Sequence, residues 1–248
     1  MDILKVNNLS KVYGNKIVSN VLKDINFSVE YGEFVGIMGP SGSGKTTLLN
    51  LISTIDKPTS GRIILKDKEL YKLKGDQLGL FRRRELGFVF QDYNLLDTLT
   101  IGENIVLPLT LENVPIKEQD DRLKKVSIIL GIEDLLNKRT FEVSGGQAQR
   151  TAIARALINN PSMVLADEPT GNLDSKSAQN VMELLEKINK EEKVTTMMVT
   201  HDPVAASYCH RILFIKDGLI YNEIYKGDNR MQFYQEIMEV LSLLGGNK

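Results

Sequence analysis

The stretch Gly39-Pro40-Ser41-Gly42-Ser43-Gly44-Lys45-Thr46 decides the fold of this 248-residue chain. It has the pattern G-x-x-x-x-G-K-T, a glycine-rich loop whose backbone N–H groups can curl around phosphate groups. The apolar run before it, residues 34–38, indicates a strand buried on both faces, and residues 46–52 have helical character. A flexible turn is the alternative interpretation, but a loop between a buried strand and a helix favours a phosphate site at the helix N-terminus.

The residues that close this loop carry the chemistry expected of a polyphosphate site. Lys45 supplies a mobile cation for β- and γ-phosphates, and Thr46 offers its hydroxyl to Mg²⁺. The sequence therefore predicts a strand–loop–helix unit that binds a nucleotide.

Strands and helices alternate along most of the chain, which indicates a largely parallel α/β sheet. Strands are predicted at residues 3–6, 25–29, 63–65, 86–90, 163–166 and 195–200. Asp217-Gly218 separates two further β-runs and predicts a hairpin. Residues 92–160 carry helical patterns instead, so we expect a separate helical subdomain there, and a final amphipathic helix before Gly245-Gly246.

Composition excludes several classes of protein. The formal net charge is −1, so no basic field attracts nucleic acid, and we expect no nucleic-acid partner. Arg82-Arg83-Arg84 is a local basic run, interpreted as a solvated helix face. Cys209 is the single cysteine, which excludes an internal disulfide and fits a reducing compartment. Because apolar runs are short and no signal segment follows Met1, the chain alone is expected to be cytosolic.

Two strand ends place acidic and imidazole groups beside the predicted phosphates. Asp167 and Glu168 follow an apolar strand; Asp167 is positioned to hold Mg²⁺ through water, and Glu168 to act as general base. The alternative is a helix-capping acidic pair. His201 ends the next strand, where it could donate a hydrogen bond to the γ-phosphate and orient the attacking water. His210 lacks such a position and is interpreted as structural.

Ser144-Gly145-Gly146-Gln147 precedes another helix and predicts a second anion site at a helix N-terminus. The tetrapeptide resembles the signature motif of ATP-binding cassette (ABC) ATPases. The resemblance covers essentially the whole chain and implies a single nucleotide-binding domain, 1–248, that hydrolyses ATP with Mg²⁺. It implies a P-loop NTPase (RecA-like), α/β fold: a mostly parallel core sheet, an N-terminal antiparallel β subdomain and an inserted α-helical subdomain. Residues 1–91 and 161–225 would form the ATP-binding core, 92–160 the helical subdomain and 226–248 a C-terminal helix.

The resemblance also assigns roles to residues. It assigns nucleotide binding to Tyr13, Gly39, Pro40, Ser41, Gly42, Ser43, Gly44, Lys45, Thr46 and Thr47, with Tyr13 stacking on adenine. It assigns catalysis to Glu168, His201 and Gln91, and metal binding to Thr46, Gln91 and Asp167. In the family the signature of one subunit closes over the ATP of the other, so Ser144, Gly145, Gly146 and Gln147 imply a head-to-tail homodimer. Asp174, in the D-loop (Gly171-Asn172-Leu173-Asp174), should meet the opposite subunit.

Three segments carry a narrower resemblance, to the ATPases of bacitracin-type (Bce-type) peptide-antibiotic transporters. They are residues 90–100, 200–209 and 241–246. The resemblance implies an integral-membrane permease as partner, an associated sensor histidine kinase, and a position at the cytoplasmic face of the cell membrane. The stretch 169–174 resembles a wider branch, so a lipoprotein-release, macrolide-export or cell-division ATPase is the alternative. A DNA-repair ABC ATPase would need a long coiled-coil insertion, which the sequence lacks.

Overall fold

The computed structural model describes residues 1–14 and 18–245 of the chain. The strands are β1 Asp2–Tyr13, β2 Ser19–Glu30, β3 Phe34–Met38, β4 Ser60–Leu65, β5 Lys68–Glu69, β6 Leu86–Val89, β7 Met163–Asp167, β8 Thr195–Val199, β9 Arg211–Lys216 and β10 Leu219–Tyr225. The α-helices are α1 Lys45–Ile52, α2 Asp76–Glu85, α3 Ile101–Thr110, α4 Ile116–Leu130, α5 Gly145–Leu157, α6 Ser175–Glu192, α7 Pro203–Ala206 and α8 Arg230–Gly245. Residues 246–248 lie outside the described residues. They include Gly246, the last residue of the segment 241–246, and the end of the C-terminal helix predicted at 226–248.

Two sheets form the framework and confirm the predicted fold class. The central sheet has the order β10-β9-β3-β8-β7-β6, and its strands are parallel except for β10, which pairs antiparallel with β9 as the predicted hairpin. The second sheet, β2-β1-β4-β5, is antiparallel. Because β3, β8, β7 and β6 run the same way, their carboxyl ends share one edge of the central sheet, where nucleotides bind in open α/β folds.

The inner strands of the central sheet, β3, β7, β8 and β9, are buried on both faces, as the apolar run at β3 predicts. Val35 and Ile37 pack towards the antiparallel sheet and α1, whereas Phe34 and Met38 pack towards the helices on the other side. Helix α5 lies close against β6: a Cβ added to Gly87 would come within 2.4 Å of the Ala156 carbonyl oxygen. This contact fixes the signature helix relative to the strand that leads to Gln91.

Two arginines of α2, Arg83 and Arg84, contact the helical segment between β6 and β7. Arg83 Nη1 donates to the Leu111 carbonyl at 3.0 Å, and Arg84 pairs with Glu112 at 3.2 Å. Arg82-Arg83-Arg84 lies on α2 with partly to well exposed side chains, and two of the three also bridge α2 to the chain just after α3. In the described part of the chain, no helix combines the length and apolar character needed to cross a membrane.

Candidate active site

The glycine-rich loop follows β3 and leads into α1, as predicted. Its Gly39 has φ 150° and sits so close to the Ile215 carbonyl oxygen that an added Cβ would lie 2.0 Å from it. Only glycine fits there. Lys45 Nζ donates to the carbonyls of Gly39 and Pro40 at 2.9 and 3.0 Å, which places the ammonium at the mouth of the loop.

The carboxylates of Asp167 and Glu168, at and just after the end of β7, act on the Lys45 ammonium. Burial lowers the pKa of Lys45, while the nearby charges of Glu168 and Asp167 raise it. Burial also raises the pKa of Asp167, with Glu168 acting in the same direction and Lys45 against it. The three groups therefore lie within reach of one another at the sheet edge, as expected from the strand ends.

Glu168 and His201 form a direct pair. Glu168 has φ 48°, and its backbone N–H donates to the Val199 carbonyl at the end of β8 at 2.9 Å. Its carboxylate lies 2.9 Å from His201 Nδ1 and accepts a hydrogen bond from His201 N at 3.3 Å. With Nδ1 bound to Glu168, the Nε2 of this exposed ring is the nitrogen left for a ligand. The strand ends predicted that the two residues share an edge, but not that they touch.

Gln91, just after β6, lies against the D-loop. Its Nε2 donates to Asn172 Oδ1 at 3.1 Å, and Asn172 Nδ2 donates to the Gln91 carbonyl at 3.2 Å and to Asp92 Oδ1 at 2.7 Å. Gln91 and Asp174 were predicted from the sequence as site residues, whereas Asn172 was placed in the D-loop without a role. Asp174 caps α6 in its own chain, accepting from the backbone N–H groups of Lys176 and Ser177 at 3.0 Å each.

Tyr13 lies at the end of β1 with its ring 41% exposed. Its hydroxyl donates to Asp56 Oδ2 at 2.5 Å, and Lys11 Nζ lies 4.5 Å from the ring centroid. Burial raises the pKa of Asp56, but hydrogen bonds from Lys11 and Tyr13 outweigh it and lower the pKa. No local sequence pattern marks Lys11 or Asp56, the two residues that orient the Tyr13 ring.

The signature forms the N-terminus of α5. Ser144 Oγ accepts from Gln147 N at 3.3 Å, and Gln147 Oε1 accepts from Ser144 N at 2.9 Å, a capping box. The N–H groups of Gly145 and Gly146, in the first turn, have no partner within the helix. A Cβ on Gly145 would lie 2.9 Å from the Tyr93 hydroxyl, so a larger residue there would displace the Tyr93 side chain.

The signature and the Lys45 loop lie on separate helices. Helix α5 packs against β6, α3, α4 and α6, whereas α1 packs against β2, β7 and β8. Among the described residues, the hydrogen bonds of Ser144 and Gln147 side chains remain within the first two turns of α5. The structure therefore brings together Lys45, Asp167, Glu168 and His201, whereas the signature begins a different helix and lies against the D-loop.

The residues expected to hold Mg²⁺ suit that ion chemically. Thr46, Gln91 and Asp167 offer a hydroxyl, an amide and a carboxylate, and oxygen donors are those that Mg²⁺ prefers when substrate phosphates complete its shell. The Ser43 hydroxyl in the same loop is 4% exposed and has no hydrogen-bond partner among the described residues. A buried hydroxyl without a partner fits a phosphate-binding loop, because it can donate a hydrogen bond to a phosphate oxygen.

A nucleotide loop, a Glu–His pair and a capped signature helix define an ATPase of the ATP-binding cassette class. The sequence model of the ABC transporter family matches residues 22–171, and the chain belongs to this family. It is 60% identical over 246 residues to the ABC transporter ATP-binding protein YxdL of Bacillus subtilis, covering 99% of this chain and 96% of that protein. It is 52% identical to the bacitracin export ATP-binding protein BceA of Halalkalibacterium halodurans, covering 99% of this chain and 98% of that protein.

A solved structure agrees in fold. The ATP-binding cassette MJ0796 of Methanocaldococcus jannaschii, a dimer in a post-hydrolysis state bound to ADP and Pi, has a TM-score of 0.82 and 41% identity. The match covers 90% of this chain and 99% of that chain. The chain is therefore an ABC-type ATPase that binds ATP and hydrolyses it to ADP and phosphate.

Proposed function

We propose that this ATPase powers a membrane permease that confers resistance to peptide antibiotics of the bacitracin type. The observation that carries the proposal is the 52% identity to a bacitracin export ATP-binding protein, over nearly the full length of both chains. Macrolide export ATP-binding/permease proteins (MacB) are less similar, at 42–46% identity, and this chain covers only 31–35% of their length. Macrolide export is therefore the second candidate.

In the proposed site, the chain's own residues prepare ATP for attack by water. The loop 39–47 holds the phosphates, Lys45 pairs with the β- and γ-groups, and Tyr13 stacks on adenine. Thr46, Gln91 and Asp167 would hold Mg²⁺, which when bound neutralises charge on the β- and γ-phosphates. Glu168 takes a proton from the attacking water as general base, and His201 holds the Glu168 carboxylate through Nδ1.

The signature is proposed to serve the ATP of a second copy of the chain. Its unpaired first-turn N–H groups and positive helix end form an anion site on a different helix from the one that follows the Lys45 loop of the same chain. Two chains arranged head to tail would each complete the other's site, with the D-loop Asp174 at the contact. The dimeric structures of the similar cassette MJ0796 support this assembly.

A groove on the helical side is the proposed permease contact. It measures about 450 Å³ and lies between α2, β6 and α3, with Phe88, Phe90, Leu107 and Leu111 among its lining residues. Arg155 lines it too and donates to the carbonyls of Tyr93 and Asn94 at 2.7 and 2.5 Å. An occupant of the groove would thus touch the segment that carries Gln91.

The proposed organisation of the chain has three parts. They are an ATP-binding core (1–91 and 161–225), a helical subdomain (92–160) and a C-terminal helix (226–248).

The proposed assembly has two ATPase chains at the cytoplasmic face of the cell membrane, bound through the permease. A sensor histidine kinase would associate with the permease rather than with this chain. The test begins with purification of the tagged chain from native membranes and identification of the proteins that accompany it. A large multi-spanning permease is expected, whereas a cell-division partner would contradict the proposal.

The second half of the test is antibiotic sensitivity. A strain lacking the chain should become sensitive to bacitracin, and the wild-type gene should restore resistance. Glu168→Gln, produced at the same level, is the matched control and should fail to restore it. Unchanged bacitracin sensitivity together with increased macrolide sensitivity would favour the second candidate.

A further inference from the structure

Two neighbouring residues of the D-loop form a seat for Gln91. A Cβ added to Gly171 would lie 2.9 Å from both Cδ and Nε2 of Gln91, so the amide packs flat against the glycine backbone. The φ of Gly171 is not in the left-handed region, so close approach rather than backbone conformation requires glycine here. Asn172 completes the seat with hydrogen bonds to both the side chain and the main chain of Gln91.

The hydrogen bonds determine which way each amide faces. Asp92 Oδ1 and the Gln91 carbonyl are acceptors, so the group of Asn172 that meets them must be its NH₂ donor. The amide oxygen of Asn172 therefore faces Gln91, and Gln91 must answer with its own donor, Nε2. The remaining end of the Gln91 amide is its oxygen. A carboxylate at position 92 thus sets, through Asn172, which atom of Gln91 is available to a ligand.

From this geometry we infer that Asn172 is a positioning residue, which together with Gly171 presents the amide oxygen of Gln91 to the metal–nucleotide. The inference deepens the proposed function and rests on the role given there to Gln91. Without Asn172 the amide could turn over and offer its NH₂ group, which cannot ligate a cation. Partners that orient a metal ligand in this way typically contribute 10–100-fold to metal affinity or activity.

The test measures metal binding rather than turnover. In a Glu168→Gln background with ATP bound, Mn²⁺ replaces Mg²⁺ and its free concentration is followed by electron paramagnetic resonance. Asn172→Ala should weaken nucleotide-dependent Mn²⁺ binding roughly tenfold, the lower end of the range for such partners. ATP affinity without metal should stay unchanged. Asn137→Ala, an exposed asparagine in a turn of another segment, is the matched control and should behave as the parent.

Further variants separate orientation from a general structural effect. Gln91→Ala should weaken Mn²⁺ binding to a similar degree, and adding Asn172→Ala to it should cause no further loss, because the two act as one unit. Gly171→Ala should reproduce the loss, since the new methyl displaces the amide.

The outcomes distinguish the inference from the proposal beneath it. If Gln91→Ala weakens Mn²⁺ binding while Asn172→Ala does not, the positioning role is wrong and the site stands. If Gln91→Ala has no effect, the role proposed for Gln91 itself is wrong, and the inference falls with it.

Discussion

Replacing Glu168 by glutamine should slow turnover by at least about a hundredfold while leaving the fold and ATP binding intact. The side chain is 17% exposed, and its carboxylate receives the His201 backbone N–H at 3.3 Å and lies 2.9 Å from His201 Nδ1. Glutamine has the same shape, and its amide oxygen can still accept one of these hydrogen bonds. What it lacks is a basic oxygen that can take a proton from water.

A general base contributes about 10²–10⁴-fold to rate, so turnover should fall by that factor. At about 1.36 kcal/mol per tenfold change, the barrier rises by about 2.7–5.4 kcal/mol. Steady-state phosphate release measures the rate, and equilibrium binding of a fluorescent ATP analogue measures affinity, which should not change. Glu192→Gln, an exposed glutamate at the end of α6, is the control. Hydrolysis within a few-fold of wild type would refute the assignment of Glu168.

Three further predictions concern the signature helix, the phosphate loop and the contact between His210 and β3. Ser144→Arg should leave ATP binding by the single chain intact and block ATP-dependent dimers in size-exclusion chromatography; loss of binding would show that Ser144 is misplaced. Because the pKa of Lys45 is lowered, chiefly by burial, ATP should bind with proton uptake at alkaline pH and weaken as pH rises; equal binding enthalpies in buffers of different ionisation enthalpy would contradict this. His210 Nδ1 accepts a hydrogen bond from Phe34 N at 3.1 Å, and partial burial lowers the pKa of the His210 imidazole. The unfolded chain therefore protonates this imidazole at a higher pH than the folded chain does. The free energy of unfolding should accordingly fall as the pH drops below about 6.5. His210→Gln should flatten this part of the urea-unfolding profile, and an unchanged slope would exclude His210 as its source.

The sequence predicts the parts of the site that depend on a single strand end or helix start. Each of these parts comes directly after a largely apolar run that is read as a strand. They are the loop at Gly39, the carboxylates after β7 and His201 after β8. Parallel strands then place them at one sheet edge. The signature needed only its own capping pattern, Ser144 with Gln147 three residues later, to predict a helix N-terminus.

Contacts between distant segments could not be predicted in this way. The Glu168–His201 pair depends on β8 lying beside β7 and on the φ of 48° at Glu168, and neither property is written in a local pattern. Asn172 reaches back 81 residues to Gln91, and Tyr13 is held by Asp56, 43 residues away. Such side-chain pairs follow from strand order and loop conformation, which composition and periodicity do not encode.

The most direct test of the split site is a cross-link between two differently marked chains. One chain carries Ser41→Cys in the phosphate loop and the other Ser144→Cys at the signature, both with Glu168→Gln; Cys209, the single native cysteine, is fully buried and gives little background. A short reagent with a thiol-reactive maleimide at each end should join the two chains only when they are mixed and only when ATP is present. Cross-links that form within one chain carrying both cysteines, or that form between mixed chains equally well without ATP, would contradict the account.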